Sequence, residues 1–379
     1  MKKPWERAPL DEAVFLQEGP GIRSYEYQKG GYPMINVRCV QDGYIDLSTC
    51  NAANVELATG KWKHFQVQEG DILFTISGSI GRTAIVTKKD LPLLMNTSVV
   101  RFRSKTPRLR DDFFFYYLQS EDFLGKLHAL SSGTAQKNVG PTHLKTLDVP
   151  LPPLAEQQRI VGLLDEAFEG LATAKANAEK NLQNARSLFE SHLQSVFTQR
   201  GPGWVEKSLG ETCEMYQPKT IGTKDLVQDG PYPVFGANGV IGRYDKFNHE
   251  DPQLLVTCRG ATCGSVNISE PKSWITGNAM VVRPKDHALD LHFLEFVFRG
   301  GIDISAAITG AAQPQITRTN LSPLLIRYPQ SFKEQTRLAE KFEDLTEETQ
   351  RLARLYERKL AALEALKKSL LHQAFTGEL

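Results

Sequence analysis

Two proline-free stretches, 155–199 and 332–375, carry apolar or small residues at one helical spacing, repeated 178 positions apart. In the first, the series is Ile160, Leu164, Ala167, Leu171, Ala174, Ala178, Leu182, Ala185 and Leu188. In the second it is Leu338, Phe342, Leu345, Thr349, Leu352, Tyr356, Leu360, Leu363 and Leu366. Steps of three and four residues mark one face of a helix. An extra four-residue step falls at the same place in both, after Ala178 and after Tyr356, and such an insertion locally unwinds a heptad seam. The endings agree too, SVFTQ against HQAFTGEL. Agreement of phase, insertion and terminus marks an internal duplication. Each helix would run about 45 residues, roughly 65 Å at 1.5 Å per residue, and neither is stable unless its seam is covered. The first seam is rich in Ala where the second carries Leu or Tyr, so the two suit one another. Gly162 and Gly170 are helix-weakening residues near the start of the first stretch.

The duplication extends, more weakly, into the segments before the helices. GDILFTISGSIGRTAIV (70–86) matches PQLLVTCRGATCGSVNI (252–268), and MNTSVVRFRSK (95–105) matches GNAMVVRPKD (277–286). Alternating β-branched and apolar residues broken by glycine turns predict short strands. FFFYYLQSEDFLGKLHAL (113–130) and DLHFLEFVFRGG (290–301) predict amphipathic helices covering the sheets. Each head ends in a shared phrase, GTAQKNV (133–139) and GAAQPQI (310–316), just before its long helix. The predicted fold class is therefore α+β: two mixed, strand-rich heads separated by two long helices that pair as an antiparallel coiled coil, in a pseudo-two-fold internal repeat. The expected boundaries are 1–153 and 201–330 for the heads, and 154–200 and 331–379 for the helices.

Catalytic chemistry is hard to find in this chain. No phosphate-binding GxxxxGK[ST] is present, and GANGVIG (236–242) lies among turn residues rather than opening a helix after a strand. The eight histidines are dispersed, without HExxH or other metal-ligand spacing, so no metal site and no catalytic residue is assigned. Five cysteines without paired spacing read as reduced thiols. No apolar run approaches the ~18 residues of a membrane span, and no apolar segment follows the two N-terminal lysines, so a cytoplasmic protein without membrane contact is expected. Net charge is +1 overall, with 19 Lys and Arg against 16 Asp and Glu in 1–150, and 12 against 13 in 204–330. Any nucleic-acid contact must come from local patches such as RFRSKTPRLR (101–110), although a run of this kind is more often a solvated loop.

The doubled GTAQKNV/GAAQPQI phrase, the passage LDVPLPPLAEQQRIVGLLDE, and the run GPYPVFGANGVIGRYD with GNAMVVRPK together resemble the specificity subunit of type I restriction-modification systems. The resemblance covers nearly the whole chain. The second copy, IRYPQSFKEQTRLAEKF, keeps Pro329, Glu334, Gln335 and Arg337 but loses the double proline and gains one residue. The resemblance implies a non-catalytic chain whose heads are target recognition domains, each reading one half of a split target in double-stranded DNA. The helices would set the gap and dock two methyltransferase subunits, with restriction/translocase subunits completing the enzyme. S-adenosylmethionine, ATP and Mg would belong to those partners, and this chain would hold no cofactor.

Candidate DNA contacts are polar and basic residues on turns: Lys61, Lys63, Arg82, Thr134, Gln136, Lys137 and Asn138, then Arg243, Arg259, Gln313, Gln315 and Arg318. Arg or Lys suits guanine and Gln or Asn suits adenine in the major groove. The repeated Gln136 and Gln313 admit two roles, touching DNA or tying the head to its helix. An alternative for the whole chain is a two-headed protein adaptor with a coiled-coil spacer.

Overall fold

The computed structural model describes residues 5–130, 139–236, 238–285, 288–310 and 313–379. The chain divides into two compact units: Met1–Asn177 with Lys359–Leu379, and Ala178–Arg358. Each unit therefore contains one head and a segment of each long helix.

In the first unit the strands are β1 (Arg7–Pro9), β2 (Val14–Glu18), β3 (Tyr27–Met34), β4 (Asn51–Ala53), β5 (Ile72–Thr75), β6 (Thr83–Ile85), β7 (Val99–Ser104) and β8 (Asp148–Pro150). Four form an antiparallel sheet in the order β2-β7-β5-β6, with Ile72 opposite both Phe102 and Ile85. Every residue of β5 is buried, as expected where an unbroken apolar run lies between two covered faces. The predicted helix over 113–130 is two helices, Asp111–Tyr117 and Glu121–Leu130. Buried Ser120 divides them: its hydroxyl donates to the Tyr117 carbonyl (2.7 Å) and accepts from the Phe123 amide (3.3 Å). The core gathers Phe74, Phe102, Phe113, Phe114 and Phe123, and closes over Ile160 and Leu164 of the first long helix and Leu371 and Ala374 of the second. Within this unit the helix segments run in opposite directions, with Arg159 beside Leu379 and Lys175 beside Glu364.

In the second unit the strands are β9 (Trp204–Ser208), β10 (Cys213–Tyr216), β11 (Tyr232–Gly236), β12 (Gly239–Tyr244), β13 (Leu254–Thr257), β14 (Val266–Ile268), β15 (Trp274–Ile275), β16 (Ala279–Pro284), β17 (Ile308–Thr309), β18 (Gln315–Ile316) and β19 (Leu325–Pro329). The main sheet, β10-β16-β13-β14, repeats the plan of the first strand for strand, with Leu254 opposite Val282 and Ile268. The small ladder β1–β8 has its counterpart in β9–β19. In GANGVIG, Gly236 ends β11 and Gly239–Gly242 belong to β12, antiparallel partners and not the entry to a helix. Helix Leu291–Phe296 passes into a wider π-type turn at Val297–Gly301, where the Leu193 and Phe197 side chains pack so closely over Gly300 and Gly301 that an added Cβ would have to displace them. Here too the long-helix segments are antiparallel, with Arg186 beside Glu357 and Phe197 stacked 6.1 Å from Phe342.

The long helices span Leu154–Gln199 and Phe332–Thr376, unbroken at Gly162 and Gly170. Their buried positions repeat with the same 178-residue offset: Gln157, Ile160, Val161 and Leu164 answer Gln335, Leu338, Ala339 and Phe342, and Leu193 answers Leu371. Of the expected seam, Leu171, Leu182, Leu345, Leu352, Tyr356, Leu360 and Leu363 are half-buried. Leu188 and Leu366 are not in it, being 50% and 48% exposed. After Ala185 and Leu363 the inward face advances by four residues, to Phe189 and Lys367, instead of three. The buried stripe thus follows the period of a straight helix more closely than a strict heptad.

Candidate nucleic-acid interface

The doubled phrase ends on the same backbone contact in both heads. The Val139 amide donates to the Ile76 carbonyl at 3.0 Å, and the Ile316 amide donates to the Cys258 carbonyl at 2.9 Å. Ile76 and Cys258 follow β5 and β13, and two residues later come Gly78 (φ 68°) and Gly260 (φ 88°), left-handed positions that glycine fills without strain. Thr134, Gln136, Lys137 and Asn138 lie outside the described residues. In the second head the end of the phrase, 314–316, lies along the glycine turn, where the Gly260 amide donates to the Pro314 carbonyl (3.1 Å) and Arg259 forms a backbone bridge with Gln315.

That arrangement brings three expected site residues together. Arg259, Gln315 and Arg318 line a cavity of about 310 Å³ with Tyr216, Gln217 and Met215. All three are exposed, and among the described residues neither arginine has an ion-pair partner. Gln313 is exposed on the same turn. Tyr216 is fixed beside the cavity: its hydroxyl meets His249 Nε2 at 2.8 Å, and the two rings stack. Burial, aided by the nearby Arg283 charge, lowers the His249 pKa below its ordinary value and so favours the neutral ring. Arg243 stands elsewhere, its guanidinium donating to the carbonyls of Gly230 and Pro231, where it closes the loop before β11.

In the first head, Lys61 and Lys63 are exposed on either side of Trp62, which is buried and anchors the turn. Arg82 sits half-buried at the β5–β6 turn, its amide bonded to the Thr75 hydroxyl. The basic run 101–110 is not a free patch. Arg101 is buried and donates to Asp71, Gln17 and the carbonyls of Gln66 and His64. Arg103 also binds Asp71, Lys105 reaches the Asp11 carbonyl, Arg108 pairs with Glu6 and Arg110 with Asp112. Each cation of the run has an internal partner. Burial lowers the Arg101 pKa, yet a guanidinium stays charged at neutral pH.

The head–helix junction is tied by residues absent from the candidate set. Gln157, fully buried, donates to the carbonyls of Arg108 (2.7 Å) and Pro152 (2.8 Å) and accepts from the Arg110 amide (2.9 Å). Gln335 makes the same three bonds with Ala288 (3.1 Å), Pro329 (2.8 Å) and the Asp290 amide (2.8 Å). Their signal was legible as the Glu-Gln-x-Arg phrase repeated at 156–159 and 334–337. Glu156 and Glu334 also pair with Arg159 and Arg337 in the first turns. Among the described residues, no cluster of three or more His, Cys, Asp or Glu could hold a metal ion, and no helix is long and apolar enough to cross a membrane. All five cysteines are free thiols.

The type I restriction modification DNA specificity domain matches residues 2–182 and again 202–358. The chain is 27% identical to the type I restriction enzyme MjaVIII specificity subunit of Methanocaldococcus jannaschii over 48% of its length and 43% of that relative's. It is 24% identical to the putative MjaX specificity subunit of the same organism, over 99% of this chain and 93% of the relative. It thus spans less than half of the first relative and nearly all of the second. A solved chain from work on complex assembly and conformational transition of the type I R-M system superposes with a TM-score of 0.78 at 19% identity, covering 99% of this chain and 98% of that one; it shares the fold. With two matched segments that together take in both heads and most of both long helices, the chain belongs to the type I restriction modification DNA specificity domain family.

Proposed function

We propose that this chain is the sequence-specific DNA-recognition subunit of a type I restriction-modification complex and performs no chemistry itself. The observation that carries the reading is the pair of heads with one sheet plan, each handing over to a long helix through the same glutamine-tied junction. A duplicated frame with differing surface side chains suits two readers of two different half-sites. The heads, 1–153 and 201–330, are target recognition domains, and the helices, 154–200 and 331–379, form an antiparallel coiled coil. Opposite chain directions within each unit and the offset-matched buried faces support this pairing and a pseudo-two-fold relation between the halves. The paired helices set the distance between half-sites and dock two methyltransferase subunits, with restriction/translocase subunits completing a cytoplasmic complex. S-adenosylmethionine, ATP and Mg act in those partners, which methylate a base turned out of the duplex.

On the DNA side, Arg259, Gln313, Gln315 and Arg318 form the contact set of the second head, and Lys61, Lys63 and Arg82 with the 134–138 segment form that of the first. Two weak readers on one frame gain affinity through effective concentration. Sequencing adenine methylation in the host genome, with and without the gene, tests the reading. Deletion is expected to erase one bipartite motif and leave every other intact; an unchanged methylome contradicts it.

A further inference from the structure

The two heads share their backbone contacts at the start of the turn that receives the doubled phrase, up to its first glycine, after which the second turn is one residue longer. Before it, the Ile76 and Cys258 carbonyls accept from Val139 and Ile316. After it stand the left-handed Gly78 and Gly260. The turn closes through Gly81 to Thr75 (3.0 Å) in one head and Gly264 to Thr257 (2.9 Å) in the other. Between these fixed points lies one residue in each head: Ser77 in the first and Arg259 in the second. The flanking backbone contacts are the same at this position and the side chains differ completely. Ser77 is half-buried, its hydroxyl 3.5 Å from that of Ser98. Arg259 is exposed, and among the described residues it has no ion-pair partner and borders a cavity that no carboxylate lines.

We propose that this position sets which base each head reads, and that Arg259 reads a guanine in the half-site of the second head. The inference rests on the DNA-recognition role proposed above. A guanidinium fork matches the O6 and N7 acceptors of guanine in the major groove, whereas a serine hydroxyl discriminates little. The backbone bridge to Gln315 holds the base of the arginine in register, and the absence of a lining acid leaves its donors for the DNA.

The test is the methylation motif written by the full complex carrying Arg259→Ser or Arg259→Lys. With Arg259→Ser, one guanine position in one half-site is expected to become degenerate, losing roughly ten- to hundredfold in discrimination. The other half-site and the gap should stay as they were. Arg259→Lys should keep guanine with a weaker preference at that position, and it decides alone if the serine variant does not fold. An unchanged motif overturns the proposal, as does slower methylation with no change of base preference, which would mark a phosphate contact. A wild-type complex that writes no bipartite motif would instead defeat the recognition role itself.

Discussion

Gln157 and Gln335 show how a single side chain can define a junction. Each is buried and satisfies two carbonyls and one amide that the head and helix start leave open. Gln335→Leu would strand these groups away from water, at a cost of about 3 kcal/mol, read as a lower denaturation midpoint. The glutamines chosen from the doubled phrase were the more conspicuous, but periodicity cannot distinguish a buried polar residue from a solvated one. A second residue-scale prediction concerns Asp148. Burial works to raise its pKa, but hydrogen bonds and charge from Lys126 and Arg7 outweigh it and hold the carboxyl below its ordinary value. A carboxyl depressed in the folded state stabilises above its unfolded pKa of about 3.9 and ceases to do so as pH falls through the folded value. Asp148→Asn should therefore lower Tm at pH 7, and the gap from the parent should close as the pH drops below about 4.

The long helices were the most legible elements, because their phase repeats across a whole domain and a 3.6-residue period accumulates evidence over many turns. What the heptad reading missed was the outward turn of Leu188 and Leu366, since a one-residue choice between steps of three and four depends on what packs opposite. Leu188→Gln should cost little, whereas Phe342→Ala, which removes a buried ring packed against Phe197 and Phe296, should cost about 3–5 kcal/mol. Gly162 and Gly170 sit inside a helix where an added Cβ would meet nothing within 4 Å. Gly162→Ala and Gly170→Ala should each stabilise by about 0.5–1 kcal/mol in chemical denaturation. The basic run 101–110 failed as a patch for a related reason: composition shows charges, but only the fold supplies Asp71, Glu6 and Asp112 to meet them.

At the scale of the whole molecule, the duplication was visible because its marks survive where packing constrains them, in helix phase, glycine turns and junction phrases. The site was legible only in part. Arg259, Gln315 and Arg318 are far apart in sequence and meet because β18 lies against the turn after β13. Arg243, chosen by the same reasoning, is instead held by the Gly230 and Pro231 carbonyls. The proposed two-fold frame with two different readers predicts an asymmetric target, and making the readers identical should make the target symmetric, since operator palindromy mirrors protein symmetry. The decisive measurement is the methylation motif of a complex whose second head, 204–330, has been replaced by a copy of the first, 1–150. The expected result is a palindrome built from one of the original half-sites with the gap essentially preserved. Retention of the original asymmetric motif by that chimaera would contradict a protein built from two independent readers on one symmetric frame.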